Sequence, residues 1–313
     1  MKTPKKVLSA LKEGRKFLIA AHINPDGDAL GSALALSSAL SSLGKKTYVY
    51  SRDPVPRQYE FLPRHEKVIS DLKNVRPAET MLVLVDCNCP ERAALEEYRF
   101  KSSLVIDHHE TEKDFGDVRW VDSGAAATGL MVYALIKALG IGINKEIATD
   151  LYTAIAVDTG TFRYGNTSSE VLMAGAALVK AGAEPGRIAD ALYETWDYRR
   201  FKLLVMTLHT LEMKSGIAMA YVTKDMFRKT GTGEDDTENF SNFPRMIDSV
   251  KISIFLRELG KDTWKVSLRS KGDVNVAKIA EQFGGGGHRN AAGCKIKADL
   301  ESARRLLFRA GRK

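Results

Sequence analysis

Short apolar runs alternate with longer helical patterns through the first two-thirds of the 313-residue chain. The run Met81–Val85 is wholly apolar and the run at 103–106 nearly so, as in strands that are buried on both faces. Residues 29–43 and 145–157 have the length and composition of helices. This alternation predicts an α/β fold whose N-terminal sheet is mostly parallel and carries helices on both faces.

The pattern changes after residue 182. Residues 188–213 predict one or two connecting helices, and short strands and helices of a smaller mixed α/β domain follow over 214–313. We therefore expect one domain at 1–187, a helical linker at 188–213 and a second domain at 214–313, with a cleft between the two domains. The polar, acidic segment 231–242 is expected to be a mobile loop.

Charge is distributed unevenly along the chain. Residues 1–213 hold 27 basic and 27 acidic side chains, whereas residues 214–313 hold 20 and 12, which is the whole excess of +8. A basic C-terminal part is typical of a domain that holds a polyanion, although a solvated basic surface explains the charge equally well.

Membrane and secretory classes are not expected. The longest uncharged apolar stretch, 124–136, is shorter than the ~20 residues of a membrane span. Charged residues at 12–16 interrupt any apolar region of a signal peptide. Three cysteines form no disulfide framework. We expect a cytoplasmic protein with no membrane partner.

Acidic and histidine side chains follow three of the predicted strands. They are His22, Asp26 and Asp28 after 17–21, Asp86 after Met81–Val85, and Asp107, His108 and His109 after 103–106. Because the carboxyl ends of parallel strands meet at one edge of a sheet, we expect these side chains to converge. Asp158, which follows the helix at 145–157, can reach the same place. A single Asp after a strand is usually a turn or cap residue, so the prediction depends on the joint pattern.

Carboxylates crowded in this way need cations, because like charges raise one another's pKa. Carboxylates with a few imidazoles suit Mn²⁺ or Mg²⁺ better than structural Zn²⁺, which prefers thiolates. Two divalent ions ~3.5–4 Å apart would fit an in-line displacement at phosphorus. Cys87 and Cys89 have no second cysteine pair and are expected to be small buried residues.

A glycine-rich segment, GGGGHRNAAG at 284–293, is the second strong signal. Backbone N–H groups of Gly285, Gly286 and Gly287 can approach a phosphate closely, and His288 and Arg289 supply cations beside them. Arg269, after the predicted strand at 264–268, can add a guanidinium to the same place. The alternative for the glycines alone is a flexible turn without function.

These motifs together resemble a known family. The His22–Asp28 loop, Asp86, the Asp107-His108-His109 triplet and Asp158-Thr-Gly are similar to the four motifs of the DHH phosphoesterase superfamily. GGGGHRNAAG resembles the signature of the DHH-associated C-terminal domain. Chain length and the segment 235–258 before 267–270 are similar to the bifunctional oligoribonuclease and 3′-phosphoadenosine 5′-phosphate (pAp) phosphatase group, the nanoRNases.

The resemblance implies two ions that share one carboxylate, Mn²⁺ with Mg²⁺ or Co²⁺ as alternatives. His22, Asp26 and Asp86 would hold the first ion. The second ion would be held by Asp28, Asp86, His108 and Asp158. Asp107 would orient its neighbours, and His109 would contact the reacting phosphate and assist proton transfer. Arg269, His288, Arg289 and the glycines 285–287 would bind another phosphate of the substrate.

The activity that the resemblance implies is hydrolysis of RNA oligonucleotides of two to five residues, including pGpG and pApA, and dephosphorylation of pAp to AMP. A homodimer is expected as in relatives. A cyclic-di-AMP phosphodiesterase is the alternative that is hardest to exclude. A RecJ-type single-strand exonuclease needs a further domain, and a pyrophosphatase of the superfamily normally lacks the GGGGHRNAAG segment. The complete metal set argues against a non-catalytic RNA- or nucleotide-binding protein.

Overall fold

The computed structural model describes residues 1–109 and 113–312. The chain divides into two compact units, Met1–Thr195 and a second that begins at Trp196. Residues 188–213 contain the end of one helix, which belongs to the first unit, and the whole of the next helix, which belongs to the second unit. No helix in the described ranges is long and apolar enough to cross a lipid bilayer.

The first unit is built on a parallel sheet. Its strands are β1 Lys16–Ala20, β2 Lys46–Tyr50, β3 Val68–Ile69, β4 Met81–Val85, β5 Ser102–Asp107 and β6 Val118–Val121. Its helices are α1 Lys5–Glu13, α2 Gly27–Ser42, α3 Thr128–Ala138, α4 Lys145–Asp158, α5 Ser169–Lys180 and α6 Pro185–Tyr193.

Strand order in this sheet is β3-β2-β1-β4-β5-β6, and every neighbouring pair is parallel. The direction in which strands are added reverses between β1 and β4. In open parallel sheets, such a switch point opens a crevice at the carboxyl ends of the strands. The two strands at the switch point are the ones that precede His22 and Asp86.

Each face of the sheet has its own apolar core. Phe17 and Ile19 of β1 pack with residues of the α-helices, whereas Leu18 and Ala20 point to the opposite face. That second face is covered by loops and single 3₁₀ turns such as Pro90–Ala93. The expected helices on this face are therefore short turns.

Helices α2 and α4 lie in close contact because Gly31 has no side chain. A Cβ at Gly31 would overlap the backbone oxygen of Asp150, and it would lie 3.1 Å from the Cβ of Ala154. At the N-terminus of α2, the Asp26 side chain accepts hydrogen bonds from the backbone N–H groups of Asp28 and Ala29, both 3.0 Å long. This cap places Asp28 in the first turn of α2.

The second unit is a mixed sheet with helices. Its strands are β7 Glu212–Lys214, β8 Ile217–Val222, β9 Ile252–Gly260, β10 Thr263–Ser270, β11 Gly286–His288 and β12 Ala291–Lys297. Its helices are α7 Tyr198–Leu208, α8 Lys224–Thr230, α9 Ala277–Glu281 and α10 Leu300–Ala310. Strand order is β11-β12-β10-β9-β8-β7, with β8 and β9 parallel and the other pairs antiparallel. The predicted fold class is confirmed in both units.

Residues 231–242, which were expected to form a mobile loop, are packed in the structure. Arg200 Nε donates to the carbonyl oxygen of Asp236 at 3.1 Å, and its Nη2 donates to that of Glu238 at 3.0 Å. Phe240 is 1% exposed and contacts Trp196 and Phe255. The polar composition of the segment predicted a mobile loop. The prediction was wrong because one buried aromatic side chain and one arginine hold the segment in place.

Candidate active site

The structure brings together the acidic and histidine side chains that follow the strands of the first unit. His22 and Asp86 come after β1 and β4, the two sides of the switch point. Asp107 ends β5, and His108 and His109 follow it. Asp158 is the last residue of α4. Asp26 and Asp28 lie at the start of α2, one as its cap and one in its first turn.

This set contains three groups of side chains, and within each group the potential ligand atoms lie within 4.8 Å of one another. They are His22, Asp26 and Asp86; Asp28, His108 and Asp158; and Asp86, His108 and His109. Asp86 belongs to two of the groups, as does His108. One side chain therefore connects neighbouring potential ion sites.

Asp86 lies at the centre of the cluster and is 2% exposed. Its Oδ2 is 3.4 Å from Nε2 of His22, and its Oδ1 is 3.4 Å from Nε2 of His108. Thr128 Oγ1 donates a 3.0 Å hydrogen bond to the same Oδ1. The backbone of Asp86 is left-handed, with φ of 56°. A non-glycine residue held in this region at a cleft is typical of a functional constraint on where its side chain points.

Asp28 is fully buried at the N-terminus of α3. The backbone N–H groups of Thr128 and Gly129 each donate a 2.7 Å hydrogen bond to its carboxylate. A Cβ at Gly129 would lie only 2.5 Å from the Cβ of Ala154, so glycine is needed for this approach. Two N–H groups at a helix N-terminus stabilise a buried anion without providing a counter-ion.

Both imidazoles nearest the carboxylates are oriented by backbone carbonyls. Nδ1 of His22 is 2.8 Å from the oxygen of Ile23, and Nδ1 of His108 is 3.1 Å from the oxygen of Ala125. An Nδ1–H that donates to a carbonyl leaves Nε2 as the ligand atom. Nε2 of His108 lies 3.1 Å from Asp158 Oδ2 and 3.8 Å from Asp28 Oδ2.

Asp107 contacts both histidines that follow it. Its Oδ1 accepts hydrogen bonds from the backbone N–H of His108 at 2.9 Å and from Nδ1 of His109 at 2.7 Å. Its Oδ2 is buried and has no hydrogen-bond partner among the described residues. Asp107 therefore orients the His109 ring and the backbone at His108.

Burial and neighbouring carboxylates disfavour the ionised forms of two aspartates in the cluster. Burial raises the pKa of Asp28 well above its usual range, and the carboxylates of Asp158 and Asp86 raise it further. Burial and Asp26 raise the pKa of Asp158 to about 6, although His108 opposes this.

The pKa values of the two imidazoles are also raised, but by the neighbouring carboxylates and against the effect of burial. Burial would lower the pKa of His22, but hydrogen bonding to Asp86 and the charge of Asp26 raise it to about 9. Burial acts in the same way on His108, and hydrogen bonds to Asp158 and Asp86 raise its pKa to about 12. Carboxylates that hold protons on neighbouring imidazoles form a site with an excess of negative charge.

The donor set fits hard divalent cations. It offers carboxylate oxygens and imidazole nitrogens, the ligands that suit Mn²⁺ and Mg²⁺. Cys87 and Cys89 are buried, in agreement with the prediction, and Cys87 Sγ lies 3.2 Å from the carbonyl oxygen of Cys89. Burial raises the pKa of the Cys87 thiol to about 12, which disfavours a thiolate ligand.

The glycine-rich segment contributes a strand as well as a turn. Gly286–His288 forms β11, the edge strand that pairs with β12. A Cβ at Gly287 would lie 2.6 Å from the carbonyl oxygen of Ala291, and φ of Gly287 is 141°. A Cβ at Gly285 would overlap the backbone of Gly293. These two glycines are required by strand packing, whereas a Cβ at Gly286 would meet no atom within 4 Å.

Arg269 and His288 lie on either side of Ala291 in the sheet. Arg269 of β10 and His288 of β11 are both in register with Ala291 of β12, and in-register side chains of neighbouring strands point to the same face. Arg289 follows His288 and donates a 2.9 Å hydrogen bond to the carbonyl oxygen of Asp273. The three cationic side chains that sequence analysis selected are thus neighbours in the second unit.

Sequence analysis missed the residues that orient the cluster. Thr128 and Gly129 hold Asp86 and Asp28, and the Ala125 carbonyl holds His108. Asn166 Nδ2 donates to the backbone oxygens of Asp158 and Ala126, both at 3.1 Å. The run of small residues at 124–129 before a helix was the available signal, because small residues allow backbone groups to approach a buried site closely.

Comparison with known proteins agrees with this geometry. The model of the DHH family, N-terminal domain, matches residues 16–156, and that of the DHHA1 domain matches residues 215–310. A protein of Thermus thermophilus named bifunctional oligoribonuclease and PAP phosphatase NrnA is 37% identical over 301 residues, which cover 94% of this chain and 88% of that protein. The chain belongs to the DHH family.

Other relatives extend the same result. A Bacillus subtilis protein of the same name is 28% identical, and the match covers 93% of this chain and 92% of that protein. The crystal structure of an exopolyphosphatase-related protein from Bacteroides fragilis matches with a TM-score of 0.91 at 27% identity, and covers 98% of this chain and 94% of that one. The prediction of a DHH phosphoesterase is confirmed, and this member of the DHH family is a hydrolase of phosphoric esters.

Proposed function

We infer that the chain is a Mn²⁺-dependent enzyme that cleaves RNA oligonucleotides of two to five residues to mononucleotides and dephosphorylates pAp to AMP. The observation that carries this proposal is the cluster around Asp86, whose carboxylate oxygens lie 3.4 Å from Nε2 of His22 and 3.4 Å from Nε2 of His108. The names of the Thermus thermophilus and Bacillus subtilis relatives support the substrate class.

Different residues of the chain are assigned to the two metal ions. We assign His22, Asp26 and Asp86 to one ion, and Asp28, Asp86, His108 and Asp158 to the other. Mn²⁺ held by these residues would activate water for attack near neutral pH and would stabilise charge at the phosphoryl oxygens. Mg²⁺ and Co²⁺ are the alternatives that the same ligands accept.

Proton handling belongs to His109. Its Nδ1 is held 2.7 Å from Asp107 Oδ1, which fixes the orientation of the ring. We assign Nε2 of His109 to the reacting phosphate, where it donates a hydrogen bond and passes a proton toward the leaving oxygen. Asp107 is a positioning residue for this imidazole.

Substrate anchoring belongs to the second unit. We assign Arg269, His288 and Arg289, with the backbone of Gly285, Gly286 and Gly287, to a further phosphate of the substrate. The domain division is proposed as a catalytic part at 1–187, a linker at 188–213 and a binding part at 214–313. The two family matches, at 16–156 and 215–310, fall inside the first and third of these.

We also propose a homodimer and a cytoplasmic location. α5 exposes Leu172, Met173 and Val179 at 54%, 65% and 43%, and monomers rarely leave such a row uncovered. The three cysteines are all unpaired, which is typical of a reducing compartment. Sedimentation of the purified chain tests the dimer directly.

The experiment for the function is a parallel assay of pAp, pGpG, pApA, cyclic di-AMP, pyrophosphate and long single-stranded DNA. We expect turnover of the first three with Mn²⁺, none with a chelator, and none by Asp86→Asn in either condition. Turnover of cyclic di-AMP, pyrophosphate or long DNA in preference to the first three would overturn the proposed substrates.

A further inference from the structure

A basic groove lies in the second unit, between α10 and the edge strand β7. Its volume is about 260 Å³. Five basic side chains and two acidic ones line it, and the basic ones are Lys214, Arg304, Arg305, Arg309 and Arg312. The α10 residues repeat at three- and four-residue intervals, so they form one continuous helix face.

The acidic side chains neutralise only one of these cations. Glu212 and Glu301 both pair with Arg304, and the contact with Glu301 is 2.9 Å long. In the described part of the chain, Arg305, Arg309 and Arg312 form no ion pair with a carboxylate. Arg305 and Arg309 on α10, and Arg312 just after its end, are exposed and not neutralised, so they form a concentrated positive field.

The groove is separate from the glycine-rich segment. β11 and β7 are the opposite edges of the same six-stranded sheet among the described residues. Five strand spacings of about 4.8 Å place the two edges roughly 24 Å apart. A stacked single strand rises about 3.4 Å per nucleotide, so roughly seven nucleotides are needed to cover that distance. A dinucleotide cannot contact both.

Arginine suits phosphodiesters at this spacing. Arg305 and Arg309 are four positions apart, or about 6 Å along the axis of α10, and Arg312 follows the end of this helix. Guanidinium groups bind phosphate oxygens through two parallel N–H donors. An acidic protein partner would need an apolar centre, whereas Phe308 in the groove is only 8% exposed.

We propose that this groove is a binding site for the phosphodiester backbone of single-stranded RNA, distinct from the site that holds short substrates. It retains chains that are longer than the dinucleotide. The proposal concerns binding and does not depend on which phosphoric ester the first unit hydrolyses.

The test is fluorescence anisotropy of a labelled 12-residue RNA with the full chain in a chelator, from 50 to 200 mM salt. Arg305→Ala, Arg309→Ala and Arg312→Ala are combined in one variant. We expect affinity at 50 mM salt to fall about tenfold or more, and the slope of log K against log salt to fall by about 2, since each lost contact to single-stranded RNA removes about 0.7.

A charge-matched control removes Arg228, Lys229 and Lys261, which are exposed outside the groove. We expect this control to retain the wild-type salt slope. Hydrolysis of a dinucleotide by the groove variant at the wild-type rate in Mn²⁺ shows that it is folded, and circular dichroism gives the same information if no dinucleotide is a substrate.

Two results would overturn the proposal. The first is a 12-residue RNA affinity and salt slope that are the same in the groove variant as in the control. The second is displacement of the RNA by poly-glutamate of equal charge as effectively as by unlabelled RNA, which would assign the groove to an acidic protein.

Discussion

Asp86 shows how much a single residue contributes to this molecule. Its left-handed backbone directs one carboxylate toward His22, His108 and the hydroxyl of Thr128. Sequence reasoning predicted the convergence of the acidic and histidine residues because strand ends in a parallel sheet have a fixed common edge. It could not predict Thr128 or the Ala125 carbonyl, because those contacts depend on how α3 packs against the sheet.

Arg289 provides a test of the anchor assignment at residue scale. If Arg289 binds a substrate phosphate as we propose, Arg289→Ala removes that charge-assisted hydrogen bond, and KM for pAp should rise about 10- to 100-fold with little change in kcat. Steady-state kinetics and Mn²⁺ titration measure the two effects separately.

Arg187→Ala, which removes an exposed arginine from α6, serves as the control for Arg289→Ala. If Arg289→Ala weakens Mn²⁺ binding as much as it weakens substrate binding, the anchor role is wrong.

Asp150 gives a pH prediction away from the active site. It is fully buried in α4, and neither carboxylate oxygen has a hydrogen-bond partner among the described residues. Burial raises its pKa well above the usual range, and Glu146 adds to this while Arg64 opposes it. When a carboxyl group is protonated in the folded protein and ionised in the unfolded chain, the folded protein loses stability as pH rises above about 4.

We therefore expect Asp150→Asn to gain stability relative to the wild type as pH rises from 4 toward the folded-state pKa of Asp150. The gain is limited to about 1.4 kcal/mol per pH unit. Urea unfolding at several pH values measures it, with the exposed Asp190→Asn as the charge-matched control. A stability difference that does not change between pH 5 and pH 8 would contradict the burial argument.

At the scale of elements, pattern length decided which predictions succeeded. The apolar run β4 was predicted with the bounds that the structure has. β3 has two residues and β6 has four, so neither has enough alternation to be recognised. β11 was missed because glycines in a strand are disfavoured and are read as a turn.

The contact between α2 and α4 gives the prediction at this scale. In Gly31→Ala, the new Cβ would overlap the backbone of Asp150, and backbone cannot move as easily as a flexible side chain. We expect the free energy of unfolding to fall by about 1–3 kcal/mol. Gly186→Ala, in α6 with no atom within 4 Å of the new Cβ, should be neutral or slightly stabilising. Equal stability of the two variants in urea would refute close packing at Gly31.

At the scale of the whole molecule, the groups of potential metal ligands found among residues 1–109 and 113–312 belong to the first unit. Ligand binding stabilises the folded state by about 2.7 kcal/mol at a concentration of 100 Kd. We therefore expect Mn²⁺ to slow amide exchange in β1, β4 and α4, and to leave β9 and β10 unchanged. Mass spectrometry of peptides from the full chain measures this, with Asp86→Asn as the control that shows no slowing. Uniform slowing in both units would contradict a localised site.

The organisation of the whole molecule was predictable in part. The α/β class and the mixed second domain followed from patterning, because apolar periodicity is a local property. The cover of the second sheet face by 3₁₀ turns did not, because such turns have no periodic sequence signature.

The strand order of the first unit also affects how the protein is made. The residues around the cluster extend from His22 to Asp158, and their order in space differs from their order along the chain. During translation, β1 cannot pair with its neighbour β4 until β4 has been synthesised. The cluster lacks Asp158 until α4 has left the ribosome. A nascent chain therefore cannot complete the group of Asp28, His108 and Asp158 until about half of the polypeptide has been synthesised.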